Sequence, residues 1–171
     1  MSGMEALGRV VDFSAAVVPV DLSGGAVTGK RVSMKNCAGL LVVIFKGPAS
    51  SGTDPAFTFK EANAFTGGTS QVMVSPPGYY YQKSAASFAG SEAWVKKTAT
   101  YSSGVVTLTS EQGNGGIYAF DILSQDLSAG FDYIEIDSSD AGTVAQLGGV
   151  LYVAHDLLVG RDPASLAALS T

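Results

Sequence analysis

The sequence predicts an all-β fold, an antiparallel β-sandwich of jelly-roll type in a single domain. About eight or nine short runs of β-branched and aromatic residues are separated by Gly, Pro, Asn, Asp and Ser turn signals. No amphipathic helical pattern exceeds two turns. With 171 residues, the chain is long enough to bury a core without metals or disulfides.

The stretch from residue 120 to residue 160 organises the prediction. Residues 131–137 alternate between apolar and polar, which predicts a half-buried strand with Glu135 and Asp137 on its solvent face. Residues 151–154 are almost wholly apolar, which predicts a central strand covered on both faces. The segment between these strands predicts a polar turn followed by one helical turn near residues 144–147.

We divide the chain into three parts. Residues 1–29 form an N-terminal arm or edge strand, because residues 10–22 are apolar but Pro19 bars a central strand. Residues 30–160 form the β-sandwich domain. Residues 161–171 form a C-terminal tail, in which residues 162–169 resemble a capped helical turn.

Further strands are predicted from apolar runs bounded by turn residues. They cover residues 30–34, 38–45, 57–62, 71–74, 94–97, 105–109 and 117–122. Residues 38–45 are the strongest buried strand of the N-terminal half. We therefore expect Ile44 and Leu151 in the core and Ser139 in a surface turn.

Composition limits the classes of function. Charged residues make up 15% of the chain, and the net charge is −5. Lys and Arg are absent between residues 98 and 160, while most basic residues lie between residues 30 and 97. This segregation indicates either electrostatically complementary contacts or a solvated acidic surface. The chain lacks the dense basic stripe of a nucleic-acid groove, so no direct nucleic-acid partner is expected.

The single cysteine, Cys37, excludes an intrachain disulfide and a Cys-based zinc site. Residues 10–20 are interrupted by Asp12 and Pro19, and no basic region precedes them. We therefore expect neither a signal peptide nor a membrane span. The sequence predicts a soluble chain made in a reducing cytoplasm.

The polar constellations favour structural roles. His155, the single histidine, lies beside Asp156, and no Ser occupies a nucleophile-elbow motif. Residues 137–140 lack the spacing of a calcium loop and are typical of a turn. Glu135 with Asp137 or Asp132 could form the carboxylate pair of a glycosidase. Paired carboxylates on the solvent face of a strand are far commoner, so we favour that interpretation. We expect no catalytic residue, metal or cofactor.

Tyr79, Tyr80 and Tyr81 follow the rigid turn at residues 75–78. Three consecutive tyrosines on a strand cannot all face one core, so at least one should be exposed. The simplest arrangement places Tyr80 outside and the other two inside. Exposed tyrosine suits a protein interface or a sugar-stacking platform.

The second half of the chain resembles the auxiliary decoration or cement proteins of tailed-bacteriophage heads. In residues 122–134 a strand is followed by a Gly-Phe-Asp step into the next strand, and the likeness continues through residues 137–142 and 146–153. The strands at residues 38–45 and 57–62 fit the same pattern.

This resemblance implies a non-enzymatic virion protein, made in the host cytoplasm. Such proteins are β-sandwiches that bind the outer capsid surface, bridge neighbouring major capsid protein subunits and form dimers or trimers. A carbohydrate-binding β-sandwich that uses exposed tyrosines is the alternative, and a hydrolase ranks third.

Homo-oligomer or capsid contacts are expected from apolar edges and exposed aromatics, and an arm at residues 1–22 is expected to contribute more to contacts than to the fold. The predicted contact residues are Val17, Val18, Val20, Tyr79, Tyr80, Tyr81, Leu166 and Leu169.

Circular dichroism provides a direct test of the fold class. The spectrum should be dominated by β-structure, with helix under roughly a fifth, compared with the third or so that is usual in globular proteins. Strong helical minima would contradict the all-β prediction.

Overall fold

The structure, a computed structural model that describes residues 6–160, is an antiparallel β-sandwich. This confirms the all-β prediction, while the jelly-roll connectivity stays a prediction. Two sheets, named sheet A and sheet B, pack around one hydrophobic core. The single helical element of the described residues is a short 3-10 helix, Ser124–Asp126.

Sheet A contains the long strands. Its spatial order is β1 (Val11–Asp21), β12 (Leu147–Leu157), β3 (Cys37–Lys46), β10 (Gly115–Leu123), β6 (Tyr79–Ala85) and β7 (Val95–Thr98). Sheet B has the order β2 (Val32–Ser33), β11 (Tyr133–Ser138), β4 (Ala56–Ala62), β9 (Val105–Thr107) and β8 (Tyr101–Ser102), with β5 (Ser70–Val72) paired to β4.

The core lies between the inner faces of the two sheets. Every second residue of β3, β10 and β12 points inward, because side chains alternate along a strand. The rings of Phe59 and Phe120 meet at 5.0 Å between centroids across the core. The Tyr152 hydroxyl of sheet A accepts a hydrogen bond from the Ile136 amide of sheet B at 2.9 Å. The two sheets are therefore joined by packing and by a buried polar contact.

Strand β1 is the edge strand of sheet A and pairs with β12 along its length. The register shifts between Ala15 and Val17, where two residues of β1 face one of β12. This bulge turns Val17 into the core, where it is 3% exposed, so Val17 is not available for the surface contact predicted for it. Ala16 and Leu22 are also buried. Deletion of residues 1–22 would remove these core side chains, so we expect the deletion to weaken the fold as well as the contacts.

The helical turn predicted near residues 144–147 is wrong. The Leu22 amide donates to the Gln146 carbonyl at 2.9 Å, and the Gln146 amide donates to the Asp21 carboxylate at 2.9 Å. Residues 143 and 144 form a bend, Gln146 is held against the end of β1, and β12 begins at Leu147.

The core prediction is confirmed for Ile44 and wrong for Leu151. Ile44 is fully buried, whereas Leu151 is 39% exposed. Both strands are apolar on both sides, but only one side of sheet A faces sheet B. Leu151 lies on the other side, as an outward residue between Ala15 and Val43. Ser139, predicted in a surface turn, follows β11 and is half-buried.

A pair of aspartate substitutions tests these placements. Ile44→Asp buries an unpaired charge, which costs about 4 kcal/mol or more and should prevent folding of a domain of ordinary stability. Leu151→Asp places the same charge on an outer face and should leave a cooperative urea transition. Equal loss of folded protein in both variants would contradict the assignment of inner and outer faces.

Candidate functional site

The outer face of sheet A is the candidate functional site, and we call it the outer apolar face. Its members are the outward residues of the four strands β1, β12, β3 and β10. Large exposed side chains on this face are Phe13, Phe45, Leu147 and Leu151, with half-buried Leu41, Val43, Ile117 and Val153 between them.

The sheet register makes this face continuous. Leu151 lies beside Val43, and Phe45 lies between Gly149 and Ile117. Gly149 has no side chain because a Cβ there would lie 2.9 Å from the Val17 carbonyl oxygen. Phe45 therefore has a cross-strand neighbour without a side chain, and it is 60% exposed. A shallow groove of about 770 Å³ runs along this part of the face.

The outer face of sheet B is different in chemistry. Arg31 Nε donates to Glu135 at 2.7 Å, and Lys60 Nζ lies 3.4 Å from the same carboxylate and also pairs with Asp137. The hydrogen bond with Asp137 raises the pKa of Lys60. Glu135 is only 5% exposed, so the prediction that it points into solvent is wrong. It lies beneath the two basic side chains, which supply its hydrogen bonds.

An acidic group closes one end of the outer apolar face, where β3 begins. His155 Nε2 lies 2.9 Å from Asp121, and its Nδ1 lies 2.9 Å from Asp156. The imidazole lies over Gly39, where a Cβ would come within 2.1 Å of the ring. Partial burial lowers the pKa of His155, but the two carboxylates outweigh that effect, and the net pKa lies above its usual value.

An aromatic and basic group lies along the lateral edge of sheet A beyond β10, on β6, on β7 and just before β7. Tyr79 and Tyr81 are exposed, with ring centroids 5.8 Å apart in an edge-to-face arrangement. The Lys96 ammonium lies 3.7 Å from the centre of the Tyr79 ring, and the Lys83 ammonium lies 5.2 Å from that of Trp94. Both contacts have the geometry of cation–π interactions.

The arrangement predicted for the three tyrosines is reversed. Tyr80 is 7% exposed, and its ring stacks on Phe120 at 4.7 Å between centroids. The register of β6 against β10 puts Tyr80 and Gln82 inward, so Tyr79 and Tyr81 alternate outward. Because the three residues are identical, their sequence pattern does not indicate which of them faces the core.

The predicted contact residues are thus distributed over several environments. Val18 and Val20 are exposed on the edge strand, and Tyr79 and Tyr81 are exposed at the β6–β7 edge. Val17 and Tyr80 are buried. Leu166 and Leu169 lie outside the described residues, as does the tail at residues 161–171.

A buried polar network lies at one end of the sandwich and was not predicted from the sequence. The Glu111 carboxylate accepts hydrogen bonds from Gln82 Nε2 at 3.0 Å and from the Tyr118 hydroxyl at 2.9 Å. Lys46 donates to the carbonyls of Gly47 and Asn114, and burial lowers its pKa to about 8. These contacts tie strand ends and loops together, which is a structural role.

Sequence reasoning missed the exposure of the outer apolar face. The signal was present, because β3 and β12 carry apolar residues at both alternating sets of positions. Such runs are typical of strands covered on both sides. In the described part of the chain, the fold covers only one of those sides.

Neither a protein-family model nor a curated protein matches this chain. Between residues 6 and 160, no helix is long and apolar enough to cross a membrane. Within the same residues, no cluster of three or more His, Cys, Asp or Glu side chains is placed to hold a metal ion. The function must therefore be argued from the surfaces described above.

The His155 environment predicts a pH dependence of stability. Because the folded-state pKa lies above the unfolded value of about 6.5, the stabilisation is fully present below that value and is lost as pH rises through the folded pKa. Urea unfolding should therefore show the free energy of unfolding falling from slightly acidic to alkaline pH. In His155→Gln this dependence should be weaker, and an unchanged slope would contradict the pairing with Asp121 and Asp156.

Proposed function

We propose that this chain is a non-enzymatic structural protein that decorates the outer surface of a tailed-phage capsid and cements neighbouring major capsid subunits. The observation that carries the proposal is the outer apolar face. A face containing Phe13, Phe45, Leu147 and Leu151 is a surface suited to cover by other protein. The phage setting rests on the resemblance in residues 122–153.

The energetics favour a role in assembly. Each Å² of apolar surface removed from water contributes about 25 cal/mol, so an exposed apolar sheet face is a reserve of binding free energy. Extended apolar patches of this kind mark interaction sites on proteins. A protein that binds only an assembled shell stabilises that shell by mass action, without any chemical step.

The polar clusters support a non-enzymatic role. The Glu135 carboxylate is held by Arg31 and Lys60, and His155 is held by two aspartates. Each of these side chains is oriented by its neighbours on the strand surface. A hydrolase hypothesis would assign Glu135 and His155 to acid–base chemistry. Their ion pairs and hydrogen bonds give them a structural role instead.

The alternative is a carbohydrate-binding module, and the exposure of Tyr79 and Tyr81 favours it. Sugar rings bind proteins by stacking on an open aromatic face. Here the Lys96 ammonium occupies one face of Tyr79, and the two tyrosine rings stand edge to face and not as a flat platform. These features support the assembly role over sugar stacking.

Co-sedimentation with purified tailed-phage shells tests the proposal. The full chain should pellet with the shells, saturate at a fixed ratio to the major capsid protein and raise the temperature at which the shells break down. Ribonuclease or nuclease treatment of the shells should not alter the ratio, because no nucleic-acid contact is involved.

The opposite outcome has a clear signature. A chain that stays in the supernatant with every shell tested, but shows a saturable change in tyrosine or tryptophan fluorescence with a glycan, would favour the carbohydrate-binding alternative. Tyr81→Ala should abolish that change and should leave shell binding, where present, much less affected.

A further inference from the structure

We propose that the occupant of the outer apolar face is a second copy of this chain, packed sheet A against sheet A around a two-fold axis. The inference deepens the proposed function and rests on its account of this face as a protein-binding surface. It specifies the partner that covers the face.

The sequence of the central strands supports a second β-layer on this face. Strands β3 and β12 are apolar at inward and outward positions alike, as in sheets that have a layer on each side. Sheet B supplies the layer on the inner side. Another copy presents a sheet of the same twist and chemistry, and face-to-face packing of two sheets is an established way to cover such a surface.

The size of the face matches a stable dimer. Strands lie about 4.8 Å apart and rise about 3.3 Å per residue, so the four strands of the face, with about ten residues each, cover roughly 630 Å² in projection. Specific protein interfaces bury about 800 Å² on each partner. The face therefore lies at the lower end of the standard range of about 600–1,000 Å² per partner, and it is about as large as the largest apolar patches found on monomers.

The charges around the face are self-complementary. Asp121 and Asp156 lie at the end where β3 begins, while Lys83 and Lys96 lie along the β6–β7 edge. A two-fold axis in the plane of the face, diagonal to the strands, places the acidic end of one copy opposite the basic edge of the other. Such an axis also crosses the two sheets at a steep angle, as in orthogonal sheet packing.

The exposed rings supply the anchors of this interface. Phe45 stands on β3, a central strand, at the end of the face opposite the acidic group, and Phe13 stands on the β1 edge; both are at least half exposed. Large aromatic side chains that become buried at an interface carry a large share of its binding free energy. The dimer should therefore depend strongly on Phe45.

Sedimentation equilibrium of the full chain tests the dimer. We expect the wild-type chain to be a dimer, and we expect Phe45→Glu and Leu151→Asp each to raise its dissociation constant by about a hundredfold or more. The matched control is Val74→Asp, which changes a 73% exposed apolar residue outside the face and should leave the dimer intact.

Folding is checked in parallel, so that loss of the dimer is not confused with loss of the fold. Both face variants should keep the circular dichroism spectrum of the wild-type chain, because their side chains lie outside the core. A monomeric wild-type chain, a trimer, or a dimer unaffected by both folded variants would overturn the inference.

Charge exchange tests the diagonal arrangement. Asp121→Lys and Lys96→Glu should each weaken self-association, and a chain carrying both changes should recover most of the wild-type affinity, because the exchanged charges face each other again. Additive weakening in the double variant would contradict this arrangement of the two copies.

The two proposals fail separately. A chain that dimerises but never binds shells would retain the dimer and remove the decoration role. A chain that remains monomeric and still co-sediments with shells would retain the decoration role and assign the outer apolar face to another partner.

Discussion

The two-sided apolar character of β3 and β12 is the constraint on which the rest of the structure depends. These strands pair with each other in the middle of sheet A, and β10 and β1 complete the pairing on either side. Their inward residues, such as Ile44 and Tyr152, build the core with sheet B. Their outward residues form an apolar surface, because successive side chains of a strand point to opposite faces of the sheet and only the inward set contacts sheet B.

The outer faces of the two sheets differ in polarity. Sheet B carries charged residues on its outer face and holds them in a network around Glu135, so that face is polar. Ion pairs as buried as these mainly offset the cost of removing their own charges from water, but they avoid an apolar surface. Sheet A has charge only at the margins of its outer apolar face. The sandwich is thus polar on one outer side and apolar on the other. An apolar side can bind another protein, as a subunit of an assembly must.

Buried polar contacts keep this asymmetric sandwich in one register. Tyr152 connects the sheets through its hydrogen bond to the Ile136 amide, and Glu111 gathers donors from β6 and β10. Such groups are costly to bury without partners, so they specify the alignment of the sheets as well as stabilising it. A rigid scaffold of this kind presents Phe45 and the aromatic edge in fixed positions.

The sequence by itself determined the fold class and most of the strands, because alternation and turn residues act locally. The strands at residues 38–45, 57–62 and 117–122 lie within β3, β4 and β10. It also indicated exposed tyrosine and an apolar N-terminal edge. Only the tertiary structure decided which side of each strand is buried. Pairing between distant segments determines the bulge before Val17, the register that buries Tyr80 and the outward position of Leu151. Alternation along a single strand does not indicate which of its two sides is buried.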